Sequence, residues 1–276
     1  MSSGREVSPR GPLVRAACVD RCSSPGVLGG WGETQVHAAR LEDLNANRLL
    51  GVLSEADRRR LFPQMYVFDL AAGEALQRAG DRVEHSWFPL GASLASFCVQ
   101  LGADEQIEVA IVGREGAVGG MVSNGGVPAF ATAHVRAPGR FLRIKITALE
   151  QAKIDSVHLR YWFARYSDCL LAQVFQTAAC NVKHTVLQRA CKWLLATSER
   201  TESSEIEMTQ EELAQLLGVG RPFVNKILGE LRAEGCIETR RSRITILDRR
   251  KLLRASCGCT TAIESHFDTV LHGIYV

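Results

Sequence analysis

The sequence predicts an α+β protein: a small antiparallel β-roll, then a long helix and a C-terminal winged helix-turn-helix. Short apolar runs separated by Gly, Pro and Asp between about residues 67 and 146 predict the roll. An uninterrupted stretch without Pro or Gly at 159–180 predicts the long helix. Two short amphipathic segments and an Arg-rich hairpin within 208–247 predict the third part. We therefore expect two domains joined by a helix.

These patterns divide the chain into five segments. Residues 1–40 are rich in Gly, Ser, Pro and Arg without an apolar period, so we expect a mostly disordered extension. The others are 41–155 (β-roll domain), 156–182 (long helix), 183–254 (winged helix-turn-helix domain) and 255–276 (C-terminal tail). The sequence contains no run of about 18 apolar residues and no apolar segment typical of a secretion signal. We therefore expect no membrane contact and a cytoplasmic location.

The positive charge of the chain is concentrated toward its C-terminal end. Residues 41–181 carry 14 basic and 15 acidic side chains, a net charge of −1. Residues 182–254 carry 14 basic and 10 acidic side chains, a net charge of +4. This asymmetry indicates an anionic partner for the C-terminal domain.

In the β-roll domain, leucines between residues 41 and 62 predict short helices, with Ser54 as a helix cap. Five strands are expected after them, at 87–90, 94–99, 107–112, 131–135 and 141–146. In the long helix, alternating spacings of four and three produce a seam of the coiled-coil type, formed by Leu159, Phe163, Tyr166, Leu170, Gln173, Thr177 and Cys180. The seam could pack on the roll, but its length and mixed polarity favour a homodimer through residues 159–180.

The helix-turn-helix has a capping box at its start, formed by Thr209 and Glu212. Gly218 and Gly220 allow a tight turn, and Pro222 suits the first turn of the second helix. Residues 238–247 then alternate as two short strands around an arginine-rich turn, which predicts a wing. Each part is common by itself, but this order is typical of a DNA-binding winged helix.

In such a domain the second helix enters the major groove with its first turns toward the base edges. Arg221 and Lys226 can donate to guanine, and Asn225 can pair with adenine. The wing arginines suit phosphates, which set affinity and its salt dependence. The predicted DNA-binding residues are Thr209, Gln210, Arg221, Pro222, Phe223, Asn225, Lys226, Arg240, Arg241 and Arg243.

Three segments carry a resemblance to a known family: 112–119 (VGREGAVG) in the roll, 171–181 on the long helix, and 213–219 (LAQLLGV) with 244–249 (ITILDR) in the winged helix. With these, residues 45–272 resemble the Crp/Fnr transcription regulators. The resemblance implies a cyclic-nucleotide-binding-like β-roll, a dimerisation helix and a winged helix-turn-helix. It also implies a sequence-specific regulator that binds double-stranded promoter DNA as a dimer, with RNA polymerase as a further partner and no enzymatic activity.

The chain departs from the family pattern at ligand positions. Members that bind cyclic AMP use a Glu and an Arg-Ser/Thr pair, where this chain has Gly120 and Ala131-Thr132. Without the guanidinium a buried phosphate has no partner, so we expect no cyclic nucleotide. Cys18, Cys22 and Cys98 are too few to hold an iron–sulfur cluster, which needs four thiolates.

Two further departures concern the C-terminal half. Pro222 replaces the acidic residue that reads cytosine in the best-known members, so their consensus site is not expected. Cys257 and Cys259 could bind a metal or oxidise, but we favour ordinary packing. The sequence therefore predicts no cofactor and no metal.

The principal alternative is a small-molecule or redox sensor in which DNA binding is vestigial. An enzyme has little support, because the chain lacks a nucleotide-binding glycine loop after a strand, a nucleophile elbow and metal-ligand spacing. The glycines of 113–119 are only a weak indication of phosphate chemistry.

Overall fold

The computed structural model describes residues 36–102, 106–121 and 126–272. Most of the predicted disordered extension therefore lies outside the described residues. Within it, Val36–Ala38 form strand β1, so the prediction of disorder is wrong for these residues. β1 pairs antiparallel with β2 (Met65–Leu70), and Val36 lies opposite Phe68. A three-residue strand stabilised by a distant partner leaves no pattern in its own sequence.

Two antiparallel sheets of four strands form the β-roll. Their orders are β1-β2-β8-β4 and β3-β7-β5-β6. The remaining strands are β3 (Ala75–Gln77), β4 (His85–Pro89), β5 (Leu94–Gln100), β6 (Gln106–Val112), β7 (Thr132–Ala137) and β8 (Gly139–Lys145). Phe88, Phe141 and Leu142 are fully buried: Phe141 packs among residues of both sheets, whereas Phe88 and Leu142 pack with residues of the neighbouring helices.

Short helices precede the roll, as predicted. They are α1 (Arg48–Gly51) and α2 (Glu55–Leu61), with 3-10 turns at Leu41–Ala46 and Phe62–Gln64. Ser54 caps α2 through its side chain, which accepts from the backbone of Asp57. All five predicted strands are present as β4 to β8, whereas β2 and β3 were not predicted.

After the roll, α3 (Ile146–Asp155) leads into the long helix α4 (Val157–Lys183). The predicted seam of α4 faces the protein's own roll, so its assignment to self-association is wrong. Leu159 and Phe163 are buried in the core of the roll domain. The Tyr166 hydroxyl donates to the Ala117 carbonyl, and Gln173 Nε2 donates to the Ile111 carbonyl at 3.1 Å. The spacing of the seam therefore marks the face of α4 that packs on the roll, which was one of the two alternatives that the sequence left open.

The C-terminal domain begins with α5 (Val186–Thr201) and contains α6 (Gln210–Leu217), α7 (Arg221–Ala233) and α8 (Arg249–Ala255). Its sheet has the order β10-β11-β9, with β9 (Glu205–Glu207), β10 (Ile237–Arg240) and β11 (Arg243–Ile246). The segment 199–207 is rich in polar residues, yet it contains β9, which pairs with β11 through Ile206 and Ile244. A single buried isoleucine between charged residues gave too little signal.

The predicted tail is mostly a helix, α9 (Cys259–Leu271), which packs along α4. The rings of Tyr166 and Phe267 meet edge to face at 6.5 Å. Arg165 donates to the carbonyls of Val270 and His272. In the described part of the chain, no helix has both the length and the apolar character needed to cross a membrane.

Candidate nucleic-acid interface

Helix α6 begins at a complete capping box. Thr209 Oγ1 accepts from the Glu212 amide at 3.1 Å, and Glu212 accepts from the Thr209 amide at 2.6 Å. The helix ends at Gly218, whose φ of +64° is a left-handed conformation that favours glycine. The turn is therefore short and fixed, and α7 starts soon after α6 ends.

Helix α7 buries one face and exposes the other. Val224, Ile227, Leu228 and Leu231 lie in the core of the domain. On the opposite face the side chains of its first two turns are exposed, namely Arg221, Pro222, Phe223, Asn225 and Lys226. Phe223 is 47% exposed, so its ring is accessible to a molecule that docks on this face.

A groove of about 410 Å³ lies between the start of α6, the start of α7 and the hairpin formed by β10 and β11, which we call the wing. Six of the predicted DNA-binding residues line it: Thr209, Gln210, Arg221, Arg240, Arg241 and Arg243. Four guanidinium groups thus surround one cleft. Phe223, Asn225 and Lys226 lie on the adjoining exposed face of α7, outside the groove.

The wing arginines differ in their partners. Arg240 pairs with Glu238 at 3.2 Å on its own strand. Arg243 pairs with Glu205 at 3.0 Å and with Glu207 at 3.6 Å, both on β9. Over residues 36–102, 106–121 and 126–272, no carboxylate forms an ion pair with Arg221, Lys226 or Arg241. Their positive charges are available to an external anion.

The C-terminal domain is joined to the β-roll through buried polar groups that the sequence did not predict. Trp193 Nε1 on α5 donates to Glu108 Oε1 on β6 at 2.7 Å. Arg136 on β7 lies 3.6 Å from the other oxygen of the same carboxylate. Burial raises the pKa of Glu108, and the Arg136 charge opposes that shift. Nothing in a local pattern pairs residues this far apart in sequence.

A second, partly buried pair crosses the same boundary. Arg200 Nε, near the end of α5, donates to Glu115 Oε1 at 2.6 Å. Burial raises the pKa of Glu115, but the Arg200 charge and its hydrogen bond outweigh burial and lower the pKa overall. Glu115 lies within the VGREGAVG segment, so the sequence did carry a signal there, although not its role.

Comparison with known proteins identifies the C-terminal part. Residues 188–255 match the family model described as the Crp-like helix-turn-helix domain. The match covers α5 to α8 and so includes both helices of the turn and the wing. No protein of curated function matches the chain.

Solved structures show a similar fold beyond this domain. FixK2 from Bradyrhizobium japonicum superposes with a TM-score of 0.59 at 15% identity, covering 70% of this chain and 97% of that one. The regulator CLP from Xanthomonas campestris gives 0.59 at 16% identity, covering 71% and 100%. A CRP-family regulator from Thermus thermophilus gives 0.56 at 21% identity, covering 68% and 95%. The chain therefore contains a Crp-like helix-turn-helix domain, and it shares the fold of these regulators.

The β-roll differs from a cyclic-AMP site at the positions where the sequence indicated a difference. Gly120 has a φ of +67°, and a Cβ there would collide with Ile146 and lie 2.8 Å from Ser86 Oγ. The Ala131 carbonyl accepts from Gln77, and Thr132 Oγ1 accepts from the Ala79 amide. A glutamate does not fit at position 120 without moving Ile146.

The cysteines considered for an iron–sulfur cluster fall into two groups. Cys18 and Cys22 lie outside the described residues. Cys98 is buried on β5, and burial raises the pKa of its thiol to about 11. Among the described residues, Cys98 does not belong to a group of three or more potential metal ligands.

Proposed function

We propose that this regulator binds promoter DNA sequence-specifically as a homodimer, with α7 of each subunit in the major groove. The observation that supports this most is the groove in which Arg221 lies together with three wing arginines. In this groove the start of α7 is exposed for contacts with base edges, and the nearby arginines suit the phosphates of the flanking DNA backbone.

The residues are assigned different tasks. Arg221 and Lys226 donate to guanine O6 and N7, and Asn225 pairs with adenine. Phe223, half-exposed beside them, contacts a thymine methyl group. The wing arginines neutralise phosphates, and the start of α6, at Thr209 and Gln210, lies against the backbone. The ring of Pro222 fixes the backbone for the first turn of α7. Because Pro222 has no amide N–H to donate, it contacts DNA only through its ring.

The dimer is assigned to the face of α4 opposite the buried seam. Tyr161, Leu171, Phe175 and Val182 are exposed there, Phe175 by 65% and Val182 by 90%. With Ala164, Asp168 and Ala178 they follow spacings of three and four over residues 161–182. Such a stripe is self-complementary about a two-fold axis, so a second copy of α4 fits it. The homodimer therefore still uses residues 159–180, but through their other face.

The same proposal includes RNA polymerase as a partner and a cytoplasmic location. A protein that changes transcription by binding promoters meets the polymerase on DNA in the cytoplasm. We assign no catalytic role. The alternative, a small-molecule sensor with vestigial DNA binding, has one supporting feature: a cavity of about 480 Å³ between the roll, α5 and α9. However, its Arg114 pairs with Glu202 and its Arg200 with Glu115. These arginines are already engaged, which disfavours an anionic ligand.

Selection of genomic DNA fragments by the purified protein tests the proposal, at two salt concentrations and with and without reductant. A palindromic motif with half-sites one helical turn apart, about 34 Å, is the expected result. Binding that is salt-sensitive but unselective would contradict it. In that case the cavity becomes the candidate functional site, and ligand screening follows.

A further inference from the structure

Three cysteines and a histidine converge where α4 meets α5. Cys180 and His184 are one helical turn apart at the end of α4, and Cys257 and Cys259 flank the loop that leads into α9. Their four potential ligand atoms all lie within 4.8 Å of one another. We propose that these residues bind one Zn²⁺ ion, independently of the DNA-binding proposal.

The distances match a single tetrahedral ion. Cys180 Sγ lies 3.6 Å from Cys257 Sγ, and Cys259 Sγ lies 3.6 Å from His184 Nδ1. With Zn–S bonds of about 2.3 Å, two sulfurs at the tetrahedral angle are about 3.8 Å apart. A cluster of several irons would hold its ligand sulfurs farther apart. The set of three thiolates and one imidazole is also a common structural zinc site.

The surroundings suit thiolate ligands. Cys180, Cys257 and Cys259 are buried together, separate from the larger apolar cores. Gln176 Nε2 donates to Cys259 Sγ at 3.1 Å, the outer hydrogen bond that typically orients a metal-bound sulfur. The sequence interpretation favoured ordinary packing of Cys257 and Cys259, because Cys180 and His184 are distant in sequence and their approach could not be predicted.

The position gives the ion a structural task. His184 is the C-terminal cap of α4, and Thr185 is the N-terminal cap of α5. Zinc there fixes the junction between the long helix and the DNA-binding domain, and it anchors the start of α9. The other end of α9 is held to α4 by Phe267 and by the hydrogen bonds of Arg165. Loss of the ion therefore releases the start of α9 and loosens the junction.

Metal analysis of the full-length protein, purified with reductant and without added metal, tests this proposal. We expect one zinc per chain and X-ray absorption with three Zn–S distances of about 2.3 Å and one Zn–N of about 2.0 Å. Cys257→Ser and His184→Gln should each lower zinc content at least tenfold. Cys98→Ala, a buried cysteine on β5, is the matched control and should retain the ion.

Three results would overturn the proposal. The wild-type protein could neither contain zinc nor take up Zn²⁺ or Co²⁺, or both variants could keep the zinc content of the wild type. The third result is a Cys180–Cys257 disulfide that persists in the presence of reductant. If the variants do not fold, the wild-type absorption spectrum still decides. A spectrum with oxygen ligands in place of sulfur would reject the assigned ligands.

Discussion

Trp193 Nε1 donates to Glu108 Oε1 at 2.7 Å and so joins the first helix of the DNA-binding domain to strand β6 of the roll. Both side chains are buried, and the same carboxylate faces Arg136. Nearby, a Cβ on Gly218, at the end of α6, would lie 3.0 Å from Ile107 on β6. The orientation of α5 and α6 is therefore coupled to the roll by hydrogen bonding and by close packing.

Trp193→Phe should loosen this contact. The substitution keeps an aromatic ring but leaves a buried carboxylate oxygen without its donor, which costs about 1–3 kcal/mol. We expect faster amide hydrogen exchange in β6 and α5, with little change in β2 and β8, which serve as the internal control. Unchanged exchange in β6 would mean that the hydrogen bond does not hold the two domains together.

The Glu115–Arg200 pair should make the free energy of unfolding depend on pH in the acid range. Because the folded pKa of Glu115 lies below its ordinary value of 4.5, the pair stabilises the protein above that value and its contribution is lost as pH falls through the folded pKa. Thermal unfolding of wild type and Glu115→Gln, compared between about pH 7 and about pH 3, measures this contribution. The variant should be less stable at neutral pH, and the difference should narrow in acid. A constant difference would contradict the assignment.

The wing arginines should differ in their effect on DNA affinity. Arg241 has no ion pair within the described residues, whereas Arg243 is held by Glu205 and Glu207. Arg241→Ala should therefore reduce the slope of log K against log [salt] by about 0.9 for each phosphate contact that is lost. Arg243→Ala should change the slope less and destabilise the β9–β11 pairing instead. Equal slopes for both variants, measured by anisotropy over a salt series, would show that the ion pairs do not govern the contacts.

Phe175→Glu should separate the proposed dimer. The substitution places like charges opposite each other in the middle of the exposed α4 stripe, and sedimentation should then report a monomer with weaker operator binding. Leu101→Glu, at an exposed apolar residue outside α4, is the control and should leave the mass unchanged. A dimer that survives Phe175→Glu would place the subunit interface elsewhere.

How much of the fold and of the candidate site could be predicted depends on how far apart in sequence the interacting residues are. The capping box at Thr209, the turn at Gly218 and the strands β4 to β8 were predictable, because local spacing and propensity determine them. The direction of the α4 seam was not, since a 3–4 spacing marks a buried stripe without saying what covers it. The four predicted wing and helix arginines share one groove, but the carboxylate partners of Arg243 lie on β9, a strand too short to detect from the sequence. The Glu108–Trp193 bond and the Cys–His cluster depend on contacts between distant segments.

The central claim, that α7 reads bases through its first turn, is tested most directly by selecting binding sites from a randomised DNA library. Wild type, Arg221→Ala and Arg78→Ala would be compared; Arg78 is an exposed arginine of the roll, and both variants remove one positive charge. We predict the same motif for wild type and Arg78→Ala, and loss of one guanine preference in each half-site for Arg221→Ala, a discrimination of about 1–3 kcal/mol. An unaltered motif for Arg221→Ala would contradict the account.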